Sequence, residues 1–415
     1  MPLFELGRRI DEAIGAHEGR AHAFLERLVA EPSVLGNERG AQAVLADELE
    51  RLGFEVSWLE IPPGIGDDPA AGVPPLGYDG RAVVVGRLRG SGGGGRSLLV
   101  NGHLDVVPAG DPDAWSTPPF APTRADDGWL HGRGAGDMKC GFAMAALATE
   151  ALLAAAGRPR ADLTVVGAIE EECTGNGTLA TVRAGVVADG VLVAEPTDLK
   201  ALTSGVGVVW VDVDIVGAPA HAEVAREGVN AIDKVWPVLE GLRALERELN
   251  DGLGAPRYHV NVGQLSAGDW PSVVPGAATV RARVGFPSTV APDDAVARTR
   301  AAIAARAAED PWLADHQPVV RPSGFRAAAY ALDDDAELLS VLRAAHADAH
   351  GEPLEVVSTN GTTDARYYVN EARVPALCFG PRMRGMHGID EAVELASIGA
   401  AARTVARFMA NWMGL

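Results

Sequence analysis

A chain of 415 residues is too long for one ordinary hydrophobic core, so two domains are expected. Its formal net charge of -20 argues against nucleic acid or an anionic membrane as a partner, since both demand a basic face, and reads as a solubility feature spread over the surface. Three scattered cysteines (Cys140, Cys173, Cys378) cannot pair completely, which argues against a disulfide framework and fits a reducing, cytoplasmic setting; the first twenty residues carry no apolar core for export.

Along the chain, residues 21–30 and 38–52 pattern as amphipathic helices, the second with Val44, Leu45, Leu49 and Leu52 on one face. Residues 54–61 and 82–88 read as strands. The Pro/Gly-rich segment between them, 62–80, reads as a surface loop, and 91–95 as a tight glycine turn. Short apolar runs at 97–101, 163–169, 190–194 and 374–379 read as buried strands. The apolar stretch 141–157 is interrupted by Glu150 and short for a membrane span, so it reads as a buried helix. Strands alternating with helices imply an α/β fold, a mostly parallel sheet covered on both faces.

The middle has another rhythm: a strand at 206–216 with alternating polar residues, a helix at 230–249, strands at 258–265 and 278–286, a helix at 293–308 and a strand near 318–322. That is the β-α-β-β-α-β order of a ferredoxin-like unit. It is expected as a second domain, residues 204–324, inserted into a first made of 1–203 and 325–415.

Five clusters of ionisable residues stand out: His103 and Asp105 in NGHLDVVP, Asp137 in GRGAGDMKCG, Glu171 and Glu172 in AIEEECTGNGT, Glu195 in AEPT, and His387 in MHGIDE. Each closes or follows a strand-like run, and ligand sites of open α/β sheets gather at the carboxyl ends of the strands. Two imidazoles and three or four carboxylates converging there suit zinc or a similar divalent ion, and point to metal-assisted hydrolysis. Singly these signals are weak, since a His-x-Asp is more often an ordinary hydrogen-bonded pair and a Glu triplet a solvated face. Here the triplet follows Val165, Val166 and Ile169, where a buried strand emerges. The glycine run at 132–136 fits neither a dinucleotide nor a P-loop spacing and reads as a turn that aims Asp137. Cys173 reads as a bystander thiol.

With these clusters in this order, the chain resembles the zinc-dependent amidohydrolase family of acetylornithine deacetylase, succinyl-diaminopimelate desuccinylase, aminoacylase and glutamate carboxypeptidase. The resemblance covers nearly the whole chain. It implies a dizinc centre, two Zn2+ per subunit with Co2+ or Mn2+ as substitutes: His103 and Glu195 on one ion, Glu172 and His387 on the other, and Asp137 bridging both. Asp105 would fix the tautomer of His103. Counting back from Gly177 at the family's spacing selects Glu172 as ligand and leaves Glu171 as catalytic base. His221, in GAPAHAE, would reach the other subunit's site in a homodimer formed through the inserted unit, which serves as a lid and dimerisation domain, and polarise the scissile carbonyl there.

Gly361 and Thr362, in NGTTDARYY, match the family's substrate loop; Arg366 is either an anion contact or a structural salt-bridge partner. The chain departs from the family at its carboxylate clamp, an Asn followed by an Asp-x-Arg. Ser272 stands at the Asn position, Arg283 where the Asp is usual, and Gly285 where the Arg is. Arg283 could restore the clamp from two residues away, on the same strand face, or point elsewhere. The segment GDWPS, at 268–272, is similar to an acetylornithine-deacetylase-like subgroup that includes a formylaminopyrimidine deformylase of thiamin salvage. The implied activity is deacylation of a small N-acyl compound, the alternatives being that deformylase or a dipeptidase or carboxypeptidase built on the same centre.

Overall fold

The computed structural model describes residues 3–415. Two helices open the chain, α1 (Leu3–Ala30) and α2 (Arg39–Arg51). Only the last third of α1 is expected from patterning. The helix starts earlier because a buried stripe of Leu6, Ile10, Ile14, Ala21, Leu25 and Leu28 keeps helical spacing across Gly15 and Gly19.

Strands β1 (Glu55–Glu60), β2 (Ala82–Leu88) and β3 (Leu98–His103) follow, then a hairpin of β4 (Thr123–Arg124) and β5 (Trp129–His131). Next come α3 (Cys140–Ala156), β6 (Leu163–Ala168), α4 (Asn176–Arg183), β7 (Gly190–Val193) and β8 (Ala201–Gly205). The middle stretch contains β9 (Gly207–Val216), α5 (Val235–Leu249), β10 (Val260–Ala267), β11 (Ala277–Phe286), α6 (Pro292–Ala307) and β12 (Val319–Ala327). The chain ends with β13 (Tyr330–Ala331), α7 (Glu337–His350), β14 (Val356–Thr359), α8 (Ala365–Tyr367), β15 (Ala376–Cys378), β16 (Met383–Arg384), β17 (Ala392–Glu394) and α9 (Leu395–Met413).

The large sheet has the order β1-β2-β6-β3-β7-β15-β8-β13, with β14 also beside β8. Its centre, β6-β3-β7-β15, is parallel, and the strands outside that centre pair antiparallel except for β14. The four central strands are buried throughout, because helices α1, α2, α3 and α9 pack on one face and α4 and α8 on the other. Helix α3 is long and apolar enough, with the turn before it, to cross a membrane; it lies instead in the core between α1 and α9.

A second sheet, order β10-β11-β9-β12, is antiparallel throughout and follows the β-α-β-β-α-β order. Val209, Val211, Val213 and Ile215 alternate along β9 and bury one face against α5 and α6. The chain enters this sheet directly from β8 through Val206 and leaves it just before β13.

Two further features differ from expectation. Segment 62–80 is not a simple surface loop: Ile65, Ala71 and Tyr78 are buried, and its backbone is satisfied by partners far along the chain. Gly72 N–H donates to Asn176 Oδ1 (2.9 Å), Asn176 Nδ2 donates to Gly72 O (3.1 Å), and Val73 N–H donates to Gly324 O (2.7 Å). Loops can be buried when their polar groups find such partners. The second is a small sheet, order β16-β17-β5-β4, built from strands of two or three residues, too short for patterning to reveal.

Candidate metal centre

Strands β6, β3 and β7 lie side by side, with His103 opposite Ala168 and Asn101 opposite Val193. Their carboxyl ends therefore bring His103, the corner at 170–172 and Glu195 to one rim. Asp137 and His387 are not delivered by these strand ends. Asp137 sits in the turn before α3 at φ -109°, ψ 103°, and His387 in the loop between β16 and β17 at φ 59°. Within the glycine run before Asp137, Gly134 adopts φ 80°, which only glycine takes readily, and on β3 Gly102 lets the side chain of Met138 lie close.

Asp137 stands between the two imidazoles. Its Oδ1 lies 3.2 Å from His103 Nε2 and its Oδ2 lies 3.1 Å from His387 Nε2. Each imidazole has its own glutamate: Glu172 Oε1 is 3.1 Å from His387 Nε2, and Glu195 Oε1 is 4.0 Å from His103 Nε2. Single ligand atoms of His103, Asp137 and Glu172 all fall within 4.8 Å of one another.

The glutamate triplet splits three ways. Glu170, at φ 66° and fully buried, turns away from the centre; it accepts from Tyr78 Oη (2.6 Å) and Thr174 Oγ1 (2.7 Å) and pairs with Arg81. Glu172 reaches His387. Glu171, also buried, has Arg366 Nη1 at 3.9 Å. Cys173 faces the Glu170 carbonyl, 3.9 Å away.

Asp105 takes a different part from the one expected. His103 Nδ1 donates to the backbone carbonyl of Asp105 at 2.9 Å, an arrangement that leaves Nε2 for the centre, while the Asp105 carboxylate is 3.8 Å from that nitrogen. The carboxylate accepts instead from the N–H groups of Glu171 (3.2 Å) and Glu172 (3.0 Å). A buried carboxylate needs donors, and two adjacent amides at a tight corner supply them.

The electrostatics are those of a cluster short of positive charge. Burial pushes the Glu171 carboxyl well above its usual range, Glu195 up to about 8 and Asp105 up to about 7. Burial also opposes ionisation of Asp137, but hydrogen bonds from His103 and His387 hold it below the usual range. Hydrogen bonds to Asp137 and Glu172 raise His387 to about 11. Burial would lower His103, yet Asp137, Asp105 and Glu195 outweigh it and hold the imidazole well above its ordinary value. Apart from Arg366 beside Glu171, protons on the imidazoles and carboxyls supply the counter-charge here, and two divalent cations could replace them. Imidazole nitrogens and carboxylate oxygens are the right donors: His103 with Glu195 and His387 with Glu172 flank a shared Asp137.

Patterning missed two residues that hold this arrangement, although both lie inside the quoted motifs. Glu391 Oε1 accepts from the N–H groups of Gly136 (2.9 Å) and Asp137 (2.8 Å), and its other oxygen pairs with Arg133. Arg133 Nη2 in turn donates to the carbonyls of His387 (3.3 Å) and Gly388 (3.0 Å).

The substrate candidates scatter. Gly361 O accepts from Val206 N–H at 2.9 Å, and the Thr362 hydroxyl is buried without a hydrogen-bond partner. Arg283 lies on β11; its Nη2 donates to Asn360 O (2.8 Å) and its Nη1 to His259 O (3.4 Å). A Cβ at Gly285 would lie 3.4 Å from Arg283 Nη1 and 3.3 Å from His259 N. Arg366 is almost wholly buried: it donates to Thr174 O (3.1 Å) and sits 3.6 Å from Asp364, while its Nε and Nη1 have no hydrogen-bond partner among the described residues. His221 and Ser272 are both exposed and adjacent, Ala222 N–H donating to Ser272 O at 3.0 Å; His221 Nδ1 accepts from Glu223 N–H. Within one chain neither is joined to the ligand cluster by a hydrogen bond or ion pair among the described residues.

Residues 99–411 match the profile of peptidase family M20/M25/M40. The chain is 28% identical over 397 residues to a succinyl-diaminopimelate desuccinylase of Variovorax paradoxus (strain S110), covering 91% of this chain and 94% of that one. It is 25% identical over 424 residues to an N-formyl-4-amino-5-aminomethyl-2-methylpyrimidine deformylase of Halalkalibacterium halodurans, covering 95% and 94%. Its fold is similar to that of the di-peptidase Dug1p of Saccharomyces cerevisiae, with a TM-score of 0.80 at 16% identity over 98% of both chains. The ligand cluster, the sheet that carries it and the family match over most of the length agree: the chain belongs to peptidase family M20/M25/M40, hydrolases that act on amide bonds.

Proposed function

We propose that the chain is a dizinc deacylase that cleaves the amide of a small N-acyl compound, such as an N-acetyl or N-formyl amine. The observation that carries this reading is the Asp137 carboxylate held between His103 and His387, each beside its own glutamate, with Glu171 near the cluster but hydrogen-bonded to neither imidazole among the described residues. His103 and Glu195 would hold one ion, His387 and Glu172 the other, and Asp137 both. When bound, such ions supply Lewis acidity toward the scissile carbonyl and toward water. Zinc suits this donor set, with cobalt or manganese as substitutes. Glu171 takes the proton of the attacking water and returns it to the leaving amine nitrogen. Its backbone is fixed for this by the Asp105 carboxylate.

Gly361 and Thr362 line the substrate, and the partnerless Thr362 hydroxyl supports that role. A second reading, deformylation of an aminopyrimidine, is favoured by the similarity to the deformylase along 95% of the chain. A dipeptidase or carboxypeptidase on the same centre would be favoured by Arg283 receiving a carboxylate, and that guanidinium donates to two backbone carbonyls.

The active unit is a homodimer. Strand β10 is an edge strand exposed along almost its whole length, with Val262 and Leu265 outward and Trp270 just beyond, a surface suited to a second copy. The partner's His221 then polarises the carbonyl of the bound amide. The cytoplasm, which keeps thiols reduced, suits three buried free cysteines.

The test is a substrate panel on metal-loaded protein: N-acetylornithine, N-succinyl-diaminopimelate, the formylaminopyrimidine and short dipeptides. Metal-dependent turnover of an N-acyl amine is expected. Turnover of dipeptides alone would replace the deacylase reading, and turnover of none by protein holding two ions would defeat it.

A further inference from the structure

One ion pair, buried on both sides, joins the turn that carries Asp137 to the loop that carries His387, yet contacts neither ligand side chain. Arg133 and Glu391 are 2% and 0% exposed. The Glu391 carboxylate holds the amides of Gly136 and Asp137, and the Arg133 guanidinium holds the carbonyls of His387 and Gly388. A shift in either residue therefore moves both ligands relative to each other.

The two halves of the centre need this support unequally. His103 closes β3 and Glu195 follows β7 closely, inside the parallel part of the sheet. His387 belongs to no regular element, has half of its side chain exposed, and holds a left-handed backbone conformation that non-glycine residues seldom adopt. Such a conformation persists only where its surroundings over-determine it. Besides Arg133, the loop is fastened by Asp390, whose carboxylate accepts from Ser116 N–H and Oγ at 2.8 Å each.

We propose that Arg133 and Glu391 are a positioning pair that sets the spacing between Asp137 and His387, and with it the affinity of the ion that Glu172, His387 and Asp137 would share. The proposal rests on the two-metal reading above. The pair carries no net charge, so it orients the ligands without adding to or offsetting the charge of the cluster.

The experiment titrates metal-stripped, full-length protein with Zn2+ by calorimetry, with bound metal counted after dialysis. Wild type should bind two equivalents. Arg133→Lys, which keeps the charge but not the fork that spans Glu391 and two carbonyls, should leave the first equivalent unchanged and weaken the second about 10–100-fold, the range for lost outer partners of a metal ligand. Glu391→Gln should weaken the second at least as much, with kcat falling more than KM changes. Arg407→Met is the control: it breaks a partly buried network with Asp11 and Asp348 and should lower Tm while both equivalents bind as in wild type. If Arg133→Lys and Glu391→Gln also lose only Tm, the pair is a structural tie and the inference is overturned. Fewer than two equivalents in wild type would overturn the two-metal reading, and this inference with it. Should both variants fail to fold, Glu391→Asp, which keeps the charge and shortens the reach to the two amides, takes their place: a weakened second equivalent supports the clamp, and two equivalents bound as in wild type refute it.

Discussion

Replacing Glu171 with glutamine separates proton handling from metal holding. Glu172 lies 3.1 Å from His387, whereas the nearest cation to Glu171 is Arg366 at 3.9 Å, so Glu171→Gln should keep both ions while Glu172→Gln loses or weakens one. Loss of a general base costs about 10²–10⁴ in rate, or roughly 2.7–5.4 kcal/mol of barrier. The same substitution has a signature in stability. Burial raises the pKa of Glu171 above the 4.5 of an unfolded chain, so its contribution to the metal-free fold is fully present below pH 4.5 and lost as pH rises toward the folded value. Glutamine carries no charge to desolvate. Metal-free Glu171→Gln should therefore melt above wild type at neutral pH, with the gap closing toward pH 4.5. Steady-state kinetics, metal counting and melting curves at several pH values read all three. Loss of metal from Glu171→Gln with retention in Glu172→Gln would show that the two glutamates exchange roles.

His221→Ala should lower kcat with little effect on metal content, and mixing it with Glu171→Gln should restore part of the activity, because one site of the mixed dimer combines both intact groups; absence of rescue after proven subunit exchange would assign His221 to its own chain or to no site. Arg283→Ala should change kcat/KM for an uncharged N-acyl amine by no more than about 0.5 kcal/mol, since the guanidinium is engaged with backbone carbonyls; a loss of about 2–5 kcal/mol on a carboxylated substrate would make it a carboxylate clamp. Metal loading at neutral pH should release more than one proton, because His387, raised to about 11, and Glu195, raised to about 8, are protonated in the metal-free protein. Calorimetry in buffers of different ionisation enthalpy measures the release, and none would contradict the electrostatics described above.

His103, the glutamates at 171 and 172 and Glu195 are legible in the sequence because ionisable residues that close or follow apolar strand runs have few bland explanations when several such clusters recur, whereas Asp137 and His387 stand out only by the motifs around them. The strand runs themselves are legible because a sheet covered on both faces demands unbroken apolar segments, as in β3 and β6. The β-α-β-β-α-β succession of the second sheet and its helices is equally open to reading, with β9 alternating buried and less buried residues along its length. The first residue of the glutamate triplet is harder. Nothing local says that Glu170 turns inward to Tyr78, Thr174 and Arg81, because those partners come from a loop nearly a hundred residues earlier and from the corner itself.

Sequence alone therefore determines the kind of centre and the strands that supply most of it, for these depend on residue type and on periodicity along the chain. Tertiary structure decides what depends on distance between remote segments. It brings Asp137 and His387 in from a turn and a hairpin loop rather than from the parallel strand ends. It moves the Asp105 carboxylate from an imidazole to two amides, and it pairs Arg133 with Glu391 across more than 250 residues of chain. Strands of two or three residues and single hydrogen bonds leave no periodic trace, and only the packed fold gives them their partners.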